Sequence, residues 1–178
     1  IMTRNNTEVK RNKSIERALI FAGLIAILLT AGAYQAHAQT KATVEKAPDF
    51  TLKLLDGTEA TLSKLNDRPV VINFWATWCG YCVKEFPDLE ELWAEYGEKI
   101  HILAVNVGET KKVIDDFLKK TPYTFPIVMD TNYTASRAYN VSGIPVTYII
   151  GKDGSIVFSR VGMMSKKDMI TAVEAALK

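Results

Sequence analysis

From Pro48 onward, apolar and polar residues recur with two periods. Phe50-Thr51-Leu52-Lys53-Leu54 alternates strictly, Asp56-Gly57 marks a turn, and Ala60-Thr61-Leu62 resumes the alternation. That pattern predicts a short β-hairpin. Val70–Trp75 is an unbroken β-branched and aromatic run, which predicts a strand buried on both faces. Phe86, Leu89, Leu92, Trp93 and Tyr96 recur at helical spacing and predict a helix over residues 80–97. Ile100–Val107 predicts a second buried strand. Thr110 stands where an N-cap would open a helix over Lys111–Lys120, with Val113, Ile114, Phe117 and Leu118 on its apolar face. Phe125–Met129 reads as a strand and Tyr133–Tyr139 as a short helix. Val146–Ile150 and Ile156–Val161 form a second hairpin that turns at Asp153-Gly154. Ser165-Lys166-Lys167-Asp168 resembles a capping box, with aspartate in the acidic position, opening a last helix through Leu177. The order β-β-β-α-β-α-β-α-β-β-α describes an α/β domain, a central sheet with helices packed on its faces.

The first 47 residues follow neither period. Residues 1–17 hold Arg4, Lys10, Arg11, Lys13 and Arg17 against Glu8 and Glu16. Ala18–Ala33 is an uncharged apolar run of 16 residues, and Ala36-His37-Ala38 fits the small-x-small rule of signal peptidase. Together these features predict an export signal over residues 1–38. Nothing polar recurs in the run at helical period, which argues against a buried core helix. The run is short for a membrane span of about 20 residues. The basic segment is long for a cleaved signal, and a retained single-pass anchor is favoured over cleavage after Ala38. In either case the positive-inside rule sends residues 39–178 across the membrane. Residues 39–47, polar and Ala-rich, read as a linker to a domain over residues 48–178.

Composition bounds the function classes. A chain of 178 residues has room for one domain of ordinary size. With 48% hydrophobic and 24% charged residues it is globular. The net charge of +2 divides into +3 over residues 1–17 and −1 over residues 39–178. The exported part therefore carries no basic excess that would suggest nucleic acid. Two cysteines exclude a four-cysteine zinc site and any multi-bridge scaffold.

Both cysteines fall in Trp78-Cys79-Gly80-Tyr81-Cys82, between the predicted central strand and the helix that follows it. At a helix N-terminus, free N–H groups and the macrodipole favour negative charge. The thiol of Cys79 should therefore ionise below the free value of about 8.5. Cys82, about one turn later, lies on the same face, so the pair can open and close a small disulfide loop. Cys79 would attack a substrate disulfide and Cys82 would resolve the mixed disulfide. A zinc half-site would need two further ligands, and His101 is the one histidine beyond the leader. Covalent haem would need histidine where Val83 stands. An inert bridge this short would stabilise little.

Residues 73–87, AsnPheTrpAlaThrTrpCysGlyTyrCysValLysGluPhePro, resemble the active site of thioredoxin-fold proteins. More narrowly the chain is similar to the TlpA/ResA/CcmG-like branch of exported thiol–disulfide oxidoreductases. AlaProAspPheThrLeu (47–52), GlyIleProValThrTyrIleIle (143–150) and AspGly (153–154) match that branch as well. The resemblance implies a thioredoxin-like three-layer sandwich with an extra N-terminal β-hairpin. It implies that Pro145 follows a cis peptide bond facing the cysteines, and that the backbone of Ile144 pairs with an extended client segment. Trp78 would form an apolar wall beside Cys79, with core packing as its alternative. Glu85 matches a glutamate that tunes the cysteine pair, since a nearby carboxylate disfavours a second negative charge and can relay a proton to Cys82. Its alternative is an exposed helix glutamate. Asn73 departs from cytoplasmic thioredoxins, which carry a buried aspartate there, and asparagine cannot act as a general base. The implied activity is mainly reduction of disulfides in exported proteins, apocytochrome c among them. A membrane thiol donor of the DsbD/CcdA type would recharge the pair, with no soluble cofactor, and the domain is expected to be a monomer.

Two other readings stand beside this one. Peroxiredoxins share the AlaProAspPheThrLeu opening, but their Pro and Thr before the reactive cysteine are Ile72 and Ala76 here. A copper chaperone resembling the Sco group would use C-x-x-x-C and a distant histidine, whereas this chain has C-x-x-C. His101 opens a predicted buried strand, which favours packing over ligation.

Overall fold

A computed structural model describes residues 45–178 of the chain. Its first strands, β1 (Thr51–Leu54) and β2 (Glu59–Thr61), pair antiparallel as the predicted hairpin. β3 (Val70–Trp75) is buried along its whole length, and helix α1 (Gly80–Tyr96) follows it. Next come β4 (His101–Val107), α2 (Lys111–Leu118), β5 (Ile127–Asp130) and α3 (Thr134–Ala138). β6 (Val146–Ile150), β7 (Ile156–Val161) and α4 (Lys166–Ala176) complete the domain. The seven strands form one mixed sheet in the order β2-β1-β5-β4-β3-β6-β7. β3, β4 and β5 run parallel, while β6 and β1 are antiparallel to the strands they flank.

The crossovers β3-α1-β4 and β4-α2-β5 step the same way across the sheet, so right-handed connections put both helices on one face. The contacts agree. Val71 and Trp75 on β3 pack with Phe86, Leu89 and Leu92 of α1, Ile114 of α2, and Met169 and Val173 of α4. The alternate residues Val70, Ile72 and Phe74 face the other layer, with Phe50, Leu52, Leu62, Ala135 and Tyr139. The result is the implied three-layer sandwich, with the β1–β2 hairpin added beyond β5.

Several local expectations are corrected. Leu62 leaves the strand pattern and starts a single 3-10 turn, Leu62–Lys64. β5 starts at Ile127, two residues late, because Pro126 has no N–H to give the ladder. Its carbonyl still accepts Ala104 N–H at 2.9 Å. Thr110 occupies the N-cap of α2, but its hydroxyl makes no capping bond. The capping box at Ser165 is half formed. Ser165 Oγ accepts Asp168 N–H at 3.3 Å, while the Asp168 carboxylate pairs with Arg160 at 3.2 Å. At α3 the buried Asp130 carboxylate accepts the N–H groups of Ala135 and Ser136, at 3.1 and 2.7 Å. Part of the predicted linker is also tied down. Ala47 N–H bonds Gly154 O, Ile156 N–H bonds Glu45 O, and Lys46 Nζ reaches Asp153 O at 2.7 Å. The predicted leader over 1–38 lies outside the described residues. Among the described residues, no helix is long and apolar enough to cross a membrane.

Helix α1 starts at the cysteines, and Phe86 is among the side chains that anchor it. Phe86 is fully buried, with ring centroids at 4.6 Å from Trp75 and 5.0 Å from both Tyr123 and Phe125. Phe86→Ala should therefore cost about 4 kcal/mol of unfolding free energy in urea titrations. A loss under about 1 kcal/mol would show that α1 is held elsewhere.

Candidate active site

The reactive pair sits where the chain leaves β3 and starts α1. Cys79 N–H closes a turn on Ala76 O at 3.1 Å. Cys79 is the N-cap of α1, and its Sγ accepts the Cys82 N–H at 3.2 Å. The sulfur does the work of the usual capping oxygen, in the position where the helix end favours a thiolate. Cys79 and Cys82 are joined as a disulfide with Cα atoms 5.3 Å apart. Cys82 is fully buried, and Cys79, at 6% exposed, is the more accessible of the two.

Two further segments meet the pair. The peptide bond between Ile144 and Pro145 is cis, and the Ile144 carbonyl oxygen lies 3.7 Å from Cys79 Sγ. Gly162 N–H donates to Pro145 O at 2.8 Å, which ties this loop to the chain after β7. Trp78 is 72% exposed, so the core-packing alternative does not hold for it, and Tyr81 beside it is also exposed. The face around the disulfide thus offers two aromatic rings with little packing of their own.

Glu85 lies one turn past Cys82, about 4.5 Å farther along the helix axis. It is 1% exposed, which removes the surface-glutamate alternative. Both oxygens are bonded. Asn73 Nδ2 donates to Oε1 at 2.7 Å, and Met164 N–H donates to Oε2 at 2.6 Å. Desolvation pushes the carboxyl from an ordinary 4.5 up to about 7, against those two hydrogen bonds, which pull it down. Asp88 adds to the rise and Arg160 opposes it. Asn73 Nδ2 also donates to Thr147 Oγ1 at 3.0 Å, while its buried Oδ1 has no partner among the described residues.

Thr147 and the Met164 amide are parts of this network that the sequence reading missed. Thr147 had a usable signal, since it and Asn73 are polar residues inside otherwise apolar strands, and they are register partners between β3 and β6. The Met164 amide had none, because any residue supplies a backbone N–H. His101 is not brought to the cysteines. It opens β4 opposite Val70, a strand's length of about 17 Å from the end of β3 that leads to Cys79. Its Nε2 is 2.7 Å from Asp67 Oδ1, and that contact helps hold Asp67 down at about 2.

Comparison with known proteins agrees with this geometry. The chain matches the AhpC/TSA family over residues 43–159. It is 36% identical over 170 residues to the thiol-disulfide oxidoreductase ResA of Geobacillus kaustophilus, covering 92% of this chain and 98% of that one. ResA of Bacillus subtilis is 34% identical, with 86% and 90% covered. Among solved structures, a putative thiol:disulfide interchange protein DsbE from Chlorobium tepidum superposes with a TM-score of 0.70 at 31% identity, covering 75% of this chain and 96% of that one. The family match takes in the opening at Ala47–Leu52 that peroxiredoxins share, but these relatives are named for disulfide exchange. The chain belongs to the AhpC/TSA family, in its thioredoxin-like branch, and is a thiol–disulfide oxidoreductase.

Proposed function

We propose that this oxidoreductase works outside the cytoplasm as a reductant of disulfides in exported proteins, with apocytochrome c as the client class that the ResA resemblance suggests. The observation that carries the direction is Glu85, a buried carboxyl one turn behind the resolving cysteine. A carboxylate there opposes a thiolate on Cys82. A cysteine pair whose reduced, ionised form is not stabilised gives up its electrons readily, the reverse of the DsbA case.

The reaction balances on the residues present. The Cys79 thiolate attacks a client disulfide, one S–S bond forms as one breaks, and a client thiolate leaves. Cys82 then loses its proton toward Glu85 or solvent and attacks Cys79. The second client thiolate is released, and two electrons have passed from the pair to the client. Trp78, Ile144 and Pro145 are the client-facing residues in this reading. The exposed indole would cover apolar client surface, and the backbone at Ile144 would pair with an extended segment. The electrons reside on the cysteine pair, so no cofactor takes part.

The basic segment, the apolar run Ala18–Ala33 and Ala36-His37-Ala38 support export and a membrane anchor. The similarity to Geobacillus ResA covers more of the chain than residues 39–178 supply, so it extends into that leader. An anchored domain that reduces clients in an oxidising compartment needs electrons delivered through the membrane, which a DsbD/CcdA-type thiol donor would supply.

Equilibration of the purified protein with glutathione tests the direction. A reductant should lie near the thioredoxin end of the range, about −270 mV, and a value above about −150 mV would contradict the proposal. The proton role has its own signature. With its pKa raised from 4.5 to about 7, Glu85 prefers the neutral form in the folded protein. Its contribution to stability is therefore full below about pH 4.5 and is lost as pH rises through 7. Relative to wild type, Glu85→Gln should gain stability across that window, on the order of 3 kcal/mol between pH 4 and pH 8.5. Its Cys82 thiol should ionise at lower pH. Parallel stability curves with an unchanged rate profile would remove Glu85 from proton handling.

A further inference from the structure

A second carboxylate reaches the loop of the nucleophile. β3 and β4 end side by side, with Trp75 opposite Asn106, so the segments after them are neighbours. Glu109, in the loop after β4, accepts the Thr77 N–H on Oε2 at 2.8 Å and the Thr77 hydroxyl on Oε1 at 2.6 Å. The fully buried Asn106 donates Nδ2 to Glu109 Oε2 at 2.7 Å, and its Oδ1 accepts the Glu109 N–H at 3.3 Å. Gly108, between them, has φ of +77°, and the Tyr133 side chain fills the space a Cβ would need. Asn106 and Gly108 thus fix Glu109, and each of its oxygens accepts a hydrogen bond from Thr77.

Thr77 lies inside the turn that the Cys79 N–H closes on Ala76 O. Trp78, in the same turn, has little buried surface to hold it. The conformation of the turn therefore decides where its indole and Cys79 Sγ stand. We propose that Glu109 is a positioning residue for disulfide exchange: by bonding both the amide and the hydroxyl of Thr77, it holds the turn that sets Cys79 against Cys82 and presents Trp78 to the client. The proposal rests on the disulfide-exchange reading of the site. In this role Glu109 touches no reacting atom and transfers no proton. Its effect is on effective concentration. A held turn keeps the two sulfurs within reach, which favours closing the disulfide and drives the second step of exchange. A loosened turn leaves a pair that is slower to close and easier to reduce.

The test compares the full-length wild type with Glu109→Ala, Glu109→Gln, Thr77→Val and the Glu109→Ala/Thr77→Val double variant. The readouts are the equilibrium constant with glutathione and the rate of insulin disulfide reduction. Glu109→Ala should move the equilibrium toward the dithiol by about tenfold, equivalent to about 30 mV, and slow insulin reduction by a similar factor. Glu109→Gln keeps one acceptor oxygen and should fall between Glu109→Ala and wild type. The double variant should be no worse than Glu109→Ala alone, because both changes break the same contact. A purely structural role would lower the urea midpoint and leave the glutathione equilibrium unchanged. A folded Glu109→Ala protein with the wild-type equilibrium constant overturns the proposal. If that variant does not fold, wild-type constants in both Glu109→Gln and Thr77→Val overturn it. A wild type that reduces no insulin would instead count against the disulfide-exchange reading, while the glutathione equilibrium still reports what Glu109 does to the pair.

Discussion

A carboxyl group cut off from water must find donors for its oxygens or give up its charge, and Glu85 is held between those outcomes. Asn73 and the Met164 amide satisfy both oxygens, yet burial still lifts its ionisation to about 7. Those bonds also connect the site. Glu85 comes from α1, Asn73 from the central strand β3, and Met164 from the chain between β7 and α4. Asn73 continues the network to Thr147 on β6, two residues after the cis-proline that lies by Cys79. The elements that surround the disulfide therefore meet at one carboxyl whose charge changes near neutral pH.

Asparagine at position 73 makes sense in this setting. A second buried carboxyl beside Glu85 would oppose its ionisation, whereas an amide can serve either form. Its Nδ2 donates to the carboxylate as the structure shows, and its otherwise unpartnered Oδ1 suits a protonated Glu85 if the amide turns round. The buried carboxyl thus stands on α1, one turn past Cys82, instead of on the strand where cytoplasmic thioredoxins keep their aspartate.

Much of this is legible in the sequence. The period of two in Phe50–Leu54, the apolar run at Val70–Trp75 and the helical spacing from Phe86 to Tyr96 each named the element that forms. Cys79, Cys82, Glu85 and Pro145 could be named because local motifs carry them. What escaped was long-range. The choice between a buried and an exposed Glu85 depends on the chain around Met164, 79 residues away. Glu109 reads as an ordinary loop glutamate until the parallel pairing of β3 and β4 sets its loop against Thr77. Caps were misread for a related reason. Thr110 has the right residue type in the right place without the bond, and the first N–H groups of α3 are held by Asp130, which stands just past the strand predicted over Phe125–Met129.

The most direct measurement is the titration of the Glu85 side-chain carboxyl by carbon NMR, in the oxidised protein and again after reduction. In the oxidised state its midpoint should fall near pH 7, and it should move when Cys79 and Cys82 become thiols, because the carboxyl and the pair then compete for charge. A midpoint near the ordinary 4.5, unaltered by reduction, would contradict the account.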